Sequence, residues 1–146
     1  MKCLLLLLCI FLITHRISSL TEKQFNATKK LVRNTCQNKS KATSEAIDAM
    51  RKGNFNQDKN AQCYIHCILN TYNLLNKELI FDWEGGVRTL KENAPESIAD
   101  PGAVSIQNCK DAVKTRSDKC IAATEVAKCL HDDNPTILYF YSIFLY

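Results

Sequence analysis

The cysteines constrain this chain more than any other feature. Eight occur among its 146 residues, and the first two, Cys3 and Cys9, sit in a segment of its own kind. Lys2 precedes an apolar run from Leu4 to Ile13, followed by Thr14, His15, Arg16 and the small residues Ser18 and Ser19. A basic start, about 10 apolar residues and a small-residue cut site make up a secretory signal peptide. A spanning helix would need roughly 20 apolar residues. Cleavage is expected after Ser19, with Ile17 and Ser19 as the recognised pair. Residues 1–19 then leave as the signal and 20–146 form one mature domain. Six cysteines remain, an even number in an oxidising compartment where thiols pair.

Helical periodicity limits how those six can join. Cys63 and Cys67 are one turn apart on one predicted helix, with parallel side chains and Cα atoms about 6 Å apart, a poor geometry for a mutual bond. Cys120 and Cys129 lie about 13.5 Å apart along another helix. Each of these two helices must therefore send two bridges elsewhere, and Cys36 and Cys109 supply the other ends. Several connectivities survive this reasoning.

The rest of the mature chain reads as short helices. It has few Gly and Pro, and its apolar residues recur at helical rather than alternating spacing. Thr21 with Gln24 fits a capping box, and Leu20 with Phe25 a hydrophobic staple. The helix they open has Phe25, Thr28, Leu31, Val32 and Cys36 on one face and Lys29, Lys30 and Arg33 on a solvated one. A second helix covers Ser44 to Lys52, with Gly53 as its stop. A third, Asp58 to Leu75, is apolar around most of its circumference and is expected to run through the centre. Asp82 caps a fourth, Trp83 to Asn93. Asp100-Pro101 marks the start of a fifth, with Ala103, Ile106, Cys109 and Val113 inward. The sixth runs from Asp118 to Asp132, ended by Pro135. The expected class is all-α, six short helices stapled by three disulfides.

In the mature chain the spacing runs Cys36, 26 residues, Cys63, three, Cys67, 41, Cys109, ten, Cys120, eight, Cys129. This six-cysteine signature closely resembles that of insect odorant-binding proteins of the pheromone-binding and general odorant-binding superfamily. The resemblance implies the pairs Cys36–Cys67, Cys63–Cys120 and Cys109–Cys129, and an internal hydrophobic cavity. It implies a non-catalytic, secreted carrier of small hydrophobic ligands such as odorants or pheromones, with no cofactor. A chemosensory receptor and a weak homodimer are the macromolecular partners to consider beside the ligand.

For such a carrier the inward apolar side chains Met50, Phe55, Ile68, Tyr72, Trp83, Val87, Leu90, Val113 and Val126 are candidate wall residues. Burying apolar ligand surface contributes roughly 25 cal/mol per Å², and a few polar groups orient the ligand. The tail from Pro135 to Tyr146 is too short to cross a bilayer and very apolar. In related proteins such a tail folds over or into the cavity, which makes Tyr139, Phe140 and Phe144 candidates for the pocket mouth. His131 sits just before it, either as a pH-sensitive latch or as a plain surface histidine.

Other chemistries find little support. Removing Lys2 and Arg16 with the signal leaves 17 basic against 15 acidic side chains, too even a balance for nucleic acid or an anionic membrane. Cys63, His66 and Cys67 resemble a metal string, but thiolates are not expected in an oxidised chain. No Gly-x-Ser-x-Gly turn is present. Asn26-Ala27-Thr28 and Asn38-Lys39-Ser40 fit the glycosylation sequon. The competing reading is a secreted helical signalling or defence protein that acts on a receptor or a membrane surface.

Overall fold

A computed structural model describes residues 22–94 and 96–135 of the chain. The expected signal peptide, the Thr21 cap, the Leu20–Phe25 staple contact and the apolar tail lie outside the described residues. Six helices follow one another: α1 (Glu22–Ser40), α2 (Ser44–Arg51), α3 (Lys59–Thr71), α4 (Trp83–Asn93), α5 (Glu96–Asn108) and α6 (Lys119–Asp133). Among the described residues the only extended pairing is an isolated antiparallel bridge between Leu75 and Phe81.

Local chemistry explains most of the boundaries. Thr43, Asp58, Asp82 and Asp118 cap α2, α3, α4 and α6, each accepting from a backbone N–H of the first turn. Those N–H groups have no intrahelical partner, so each cap stabilises its helix by about 0.5–2 kcal/mol in exposed contexts. Gly85 stands directly against the Asp82 carboxylate, where a Cβ would collide. That glycine weakens the start of α4 by propensity but makes room for its cap. At the far end of α2, Gly53 has φ +89°. Its N–H donates to the Met50 carbonyl and that of Asn54 to Ala49, a Schellman closure.

Three sequence expectations need correction. The third helix does not reach Leu75: Asn73 takes the left-handed conformation at φ 55° and closes α3 with the bonds Asn73 N–H to Asn70 and Leu74 N–H to Leu69. Asparagine tolerates that conformation better than most residues. The fifth helix starts at Glu96, not at Asp100, and holds Pro101 within it. The proline removes one early hydrogen bond, and the carbonyl left over belongs to exposed Ser97. On α1 the buried stripe is Lys29, Val32 and Cys36, while Leu31 is 67 % exposed. Lys29 therefore leaves the solvated face assigned to it; a lysine's aliphatic stem can line an apolar surface.

The interior is one apolar cluster running through all six helices. α3 lies at its centre, packed on α6 and α1, while α4 pairs chiefly with α5. Ala61, Tyr64, Ile65, Ile68 and Leu69 form the buried face of α3. Its partner α6 meets it with Ala122, Ala123, Val126 and Ala127, small residues that let the two helix axes approach. Cys36–Cys67 joins α1 to α3, Cys63–Cys120 joins α3 to α6, and Cys109–Cys129 ties the end of α5 to α6. These are the pairs the resemblance implies. Each closed loop contributes about 2–4 kcal/mol by the chain-entropy argument.

Candidate ligand-binding site

The candidate wall residues separate into two groups. Met50, Phe55, Ile68, Leu90 and Val126 are buried within the cluster, and Tyr72, Trp83, Val87 and Val113 are half-buried against it. The distinction is geometric. Met50 and Val126 have no accessible surface and Ile68 has 1 %, so they touch protein on nearly every side in this conformation. A side chain can border a ligand-sized space only if it keeps some accessible surface. Trp83 and Val87 keep it, and they lie one turn apart on α4, so they share a face. Tyr72 keeps it at the C-cap of α3. Val113 keeps it in the α5–α6 connection, beside Leu79, Ile80 and Phe81. Tyr139, Phe140 and Phe144 lie outside the described residues.

Ile98 and Ala112 are half-buried against the same cluster and were missed by sequence reasoning. Ile98 falls in the first turn of α5, which the Asp100-Pro101 signal had placed in a loop. Helical spacing from Ile98 to Gly102 and Ile106, read without a break at Pro101, is the signal that finds it.

Polar groups near this interior are few. The Tyr64 hydroxyl is fully buried and has no hydrogen-bond partner. Burial holds its pKa far above the ordinary tyrosine value, against smaller opposing effects of Arg33 and Arg51. Burial also raises the Tyr72 pKa. Both phenols are therefore neutral at physiological pH and can donate a hydrogen bond. His131 is half-buried near the end of α6. Its ring stands edge-on to Phe55 at a centroid distance of 5.7 Å, and its Nδ1 lies 3.6 Å from the Asp132 carboxylate. Outside Phe55, a groove of about 420 Å³ runs between the α2–α3 turn and α6, lined by Asn54, Asn56, Gln62, Ile121 and Thr124 among others.

The remaining polar clusters are structural. Glu125 accepts from the backbone N–H groups of Lys114 and Thr115 and from the Thr115 hydroxyl, which fixes the α5–α6 connection. Desolvation pushes its pKa up, but those hydrogen bonds outweigh it and leave the carboxyl below its ordinary range. Asp133 accepts from Ser105 and Asn108, locking the ends of α5 and α6 together. Cys63 and Cys67 are both in disulfides, so the Cys63-His66-Cys67 string has no thiolate to offer a metal. Among the described residues no helix is long and apolar enough to cross a membrane.

Six helices around one apolar cluster and three bridges that tie four of them together define a class of small, disulfide-stapled all-α domains. The chain belongs to the PBP/GOBP family, whose model matches residues 18–133. It is 26% identical to general odorant-binding protein 72 of Anopheles gambiae over 121 residues, which is 83% of this chain and 99% of that protein. Odorant binding protein 4 of Chrysopa pallens superposes with a TM-score of 0.72 at 36% identity, covering 81% of this chain and 96% of that one. Odorant binding protein 7 of Anopheles gambiae, solved with four disulfide bridges and in complex with an azo compound, shares the fold. Its TM-score is 0.68 at 19% identity, over 88% of this chain and 99% of that one.

Proposed function

We propose that this chain is a secreted, non-catalytic carrier that takes small hydrophobic organic molecules, odorants or pheromones among them, into its helical interior. Residues 1–19 act as the signal peptide and 20–146 as the carrier. Family membership carries the reading, and an odorant-binding protein of the same fold, solved in complex with an azo compound, is consistent with it. Trp83, Val87, Tyr72 and Val113 are the wall residues with surface to offer, and Met50, Phe55, Ile68, Leu90 and Val126 form the second layer behind them. A ligand leaving water for such a wall gains roughly 25 cal/mol per Å² of apolar surface covered, and a neutral Tyr72 hydroxyl supplies one orienting hydrogen bond. Tyr139, Phe140 and Phe144 then close the mouth.

The test is competitive displacement of a fluorescent apolar probe from the oxidised mature protein. Saturable binding reversed by odorant-sized molecules is expected, and Trp83→Ala should weaken it roughly ten-fold, the loss of a large aromatic contact. A folded protein that binds no probe overturns the carrier reading.

A further inference from the structure

One face of the molecule concentrates charge without balancing it. The loop between α5 and α6 carries Lys110, Lys114 and Arg116, Lys119 opens α6, and the loop between α3 and α4 carries Lys77. A cleft of about 230 Å³ opens between the two loops, lined by Leu79, Ile80, Phe81 and Val113 and rimmed by Lys110, Lys114, Arg116 and Asp111. A second groove of about 540 Å³ continues from it, sharing Leu79 and Arg116 and adding Lys59, Lys77, Glu78, Asp118 and Lys119. Six bases thus stand against three acids, an excess of three. Residues 22–135 as a whole hold 17 bases and 15 acids, an excess of only two, so the rest of the surface is slightly acidic. Asp118 is already engaged by Lys59 and by the N–H groups of Cys120 and Ile121. Among the described residues Lys77, Lys110, Arg116 and Lys119 have no carboxylate within ion-pair distance.

The loops are held in place. The Glu125 carboxylate binds the Lys114 and Thr115 backbone. Cys109–Cys129 and Cys63–Cys120 pin both ends of the connection. On the opposite wall, the Asn76 side chain accepts from the Ile80 N–H, Leu79 has φ 57°, and Ile80 is left 49 % exposed at the cleft. A fixed concave surface with an apolar floor, unpaired Lys110 and Arg116 along one rim and unpaired Lys77 and Lys119 in the adjoining groove is complementary to an extended chain bearing carboxylates and an occasional apolar side chain.

We infer that the face between the α3–α4 and α5–α6 loops is a docking surface for an acidic segment of a partner protein, an aliphatic side chain entering the cleft beside Ile80 and carboxylates pairing with Lys110, Arg116 and Lys77. A lipid surface is a poorer fit, because the apolar floor is recessed between loops and Glu78 and Asp111 would meet a uniformly anionic plane at the rim. The cleft shares Val113 with the proposed ligand wall, whereas Tyr72, Trp83 and Val87 line neither groove.

The test uses the oxidised mature protein and a fluorescein-labelled peptide of alternating Glu and Leu, read by anisotropy. Saturable binding is expected, weakening several-fold between about 50 and 300 mM salt. Lys110→Glu with Arg116→Glu should weaken it roughly ten-fold or more, and Ile80→Ser should weaken it at fixed charge. Lys30→Glu with Lys39→Glu on α1, the same change in net charge elsewhere, should leave it unaltered. Equal losses from both charge-reversed pairs would overturn the inference as a net-charge effect, and so would capture by phosphatidylserine vesicles with no peptide binding. Displacement of the apolar probe is measured on every variant; it reports folding and the carrier interior independently of the peptide, so either reading can fail without the other.

Discussion

Replacing Gly53 by alanine should damage this fold out of proportion to one methyl group. Gly53 closes α2 at φ +89°, a region that costs an L-residue with a Cβ about 1–2 kcal/mol. The added carbon would also stand 2.6 Å from Cε1 and 2.9 Å from Nε2 of His131, where about 3.5–4.0 Å is comfortable. The imidazole has little room to retreat, because its ring abuts Phe55 edge-on and Phe55 is only 8% exposed. Overpacking of this kind costs about 1–3 kcal/mol, so the total is about 2–5 kcal/mol. At roughly 4 °C per kcal/mol for a domain of this size the melting temperature should fall by about 8–20 °C. The assay is urea and thermal unfolding of the oxidised protein by circular dichroism, repeated in a His131→Ala background. There the collision is gone and only the backbone cost of about 1–2 kcal/mol should remain. Equal losses in both backgrounds would refute the steric half of this reasoning, and a loss below about 0.5 kcal/mol in the native background would refute both halves.

Two further substitutions probe polar groups. Tyr64→Phe removes a buried hydroxyl that has no partner and should leave stability unchanged or raise it by about 1 kcal/mol; a loss above about 1 kcal/mol in urea unfolding would mean that the hydroxyl is bonded after all. His66 has its pKa lowered, first by burial and then by Lys119, with Asp118 opposing. The unfolded chain therefore takes up the proton more readily, and stability present above the ordinary histidine value should be lost as pH falls through the lower folded value. Melting temperatures from about pH 7.5 down to 5 should show that loss, and His66→Gln should flatten its share of the slope; an unchanged slope would show that His66 is not its source.

The chain's local chemistry made some of this legible and hid the rest. Asp82 before Trp83 predicted α4 with both of its observed ends, because capping is a contact between near neighbours. The end of α3 was hidden because Leu74 and Leu75 continue the apolar pattern while Asn73 turns the backbone; both leucines are buried outside the helix. Pro101 gave a helix start that tertiary packing overrides. On α1, Lys29 and Leu31 exchanged places because side-chain chemistry was read ahead of angular position: Lys29, Val32 and Cys36 fall within about 60° of one another, with Leu31 opposite. Bridge geometry excluded two disulfides, and only the resemblance selected three. Among the candidate wall residues, periodicity located the buried face and could not tell its second layer from its surface, since Met50 and Trp83 are equally apolar and differ only in accessible area.

That division follows how the bridges are distributed. They connect α1 with α3, α3 with α6, and the end of α5 with α6, so the fully buried residues of α3 and α6 lie inside a covalent frame. No cysteine lies in α4. Noncovalent packing on α5 and the turn after α3 holds it, including the bond from Asp82 N–H to the Leu74 carbonyl. Gly85 and Gly86 both fall in its first turn, where helix propensity is weakest. Trp83 and Val87, two of the four proposed wall residues with surface to spare, belong to this unbridged helix, whereas Tyr72 and Val113 lie next to bridged elements. A displacement of α4 would open the edge of the apolar cluster without stretching a disulfide, whereas the same opening made through α3 would strain two. The part of the proposed wall on α4 thus lies outside the covalent constraint. A carrier of small molecules with varied shapes benefits from that separation, because fitting a guest need not loosen the elements that keep the chain folded.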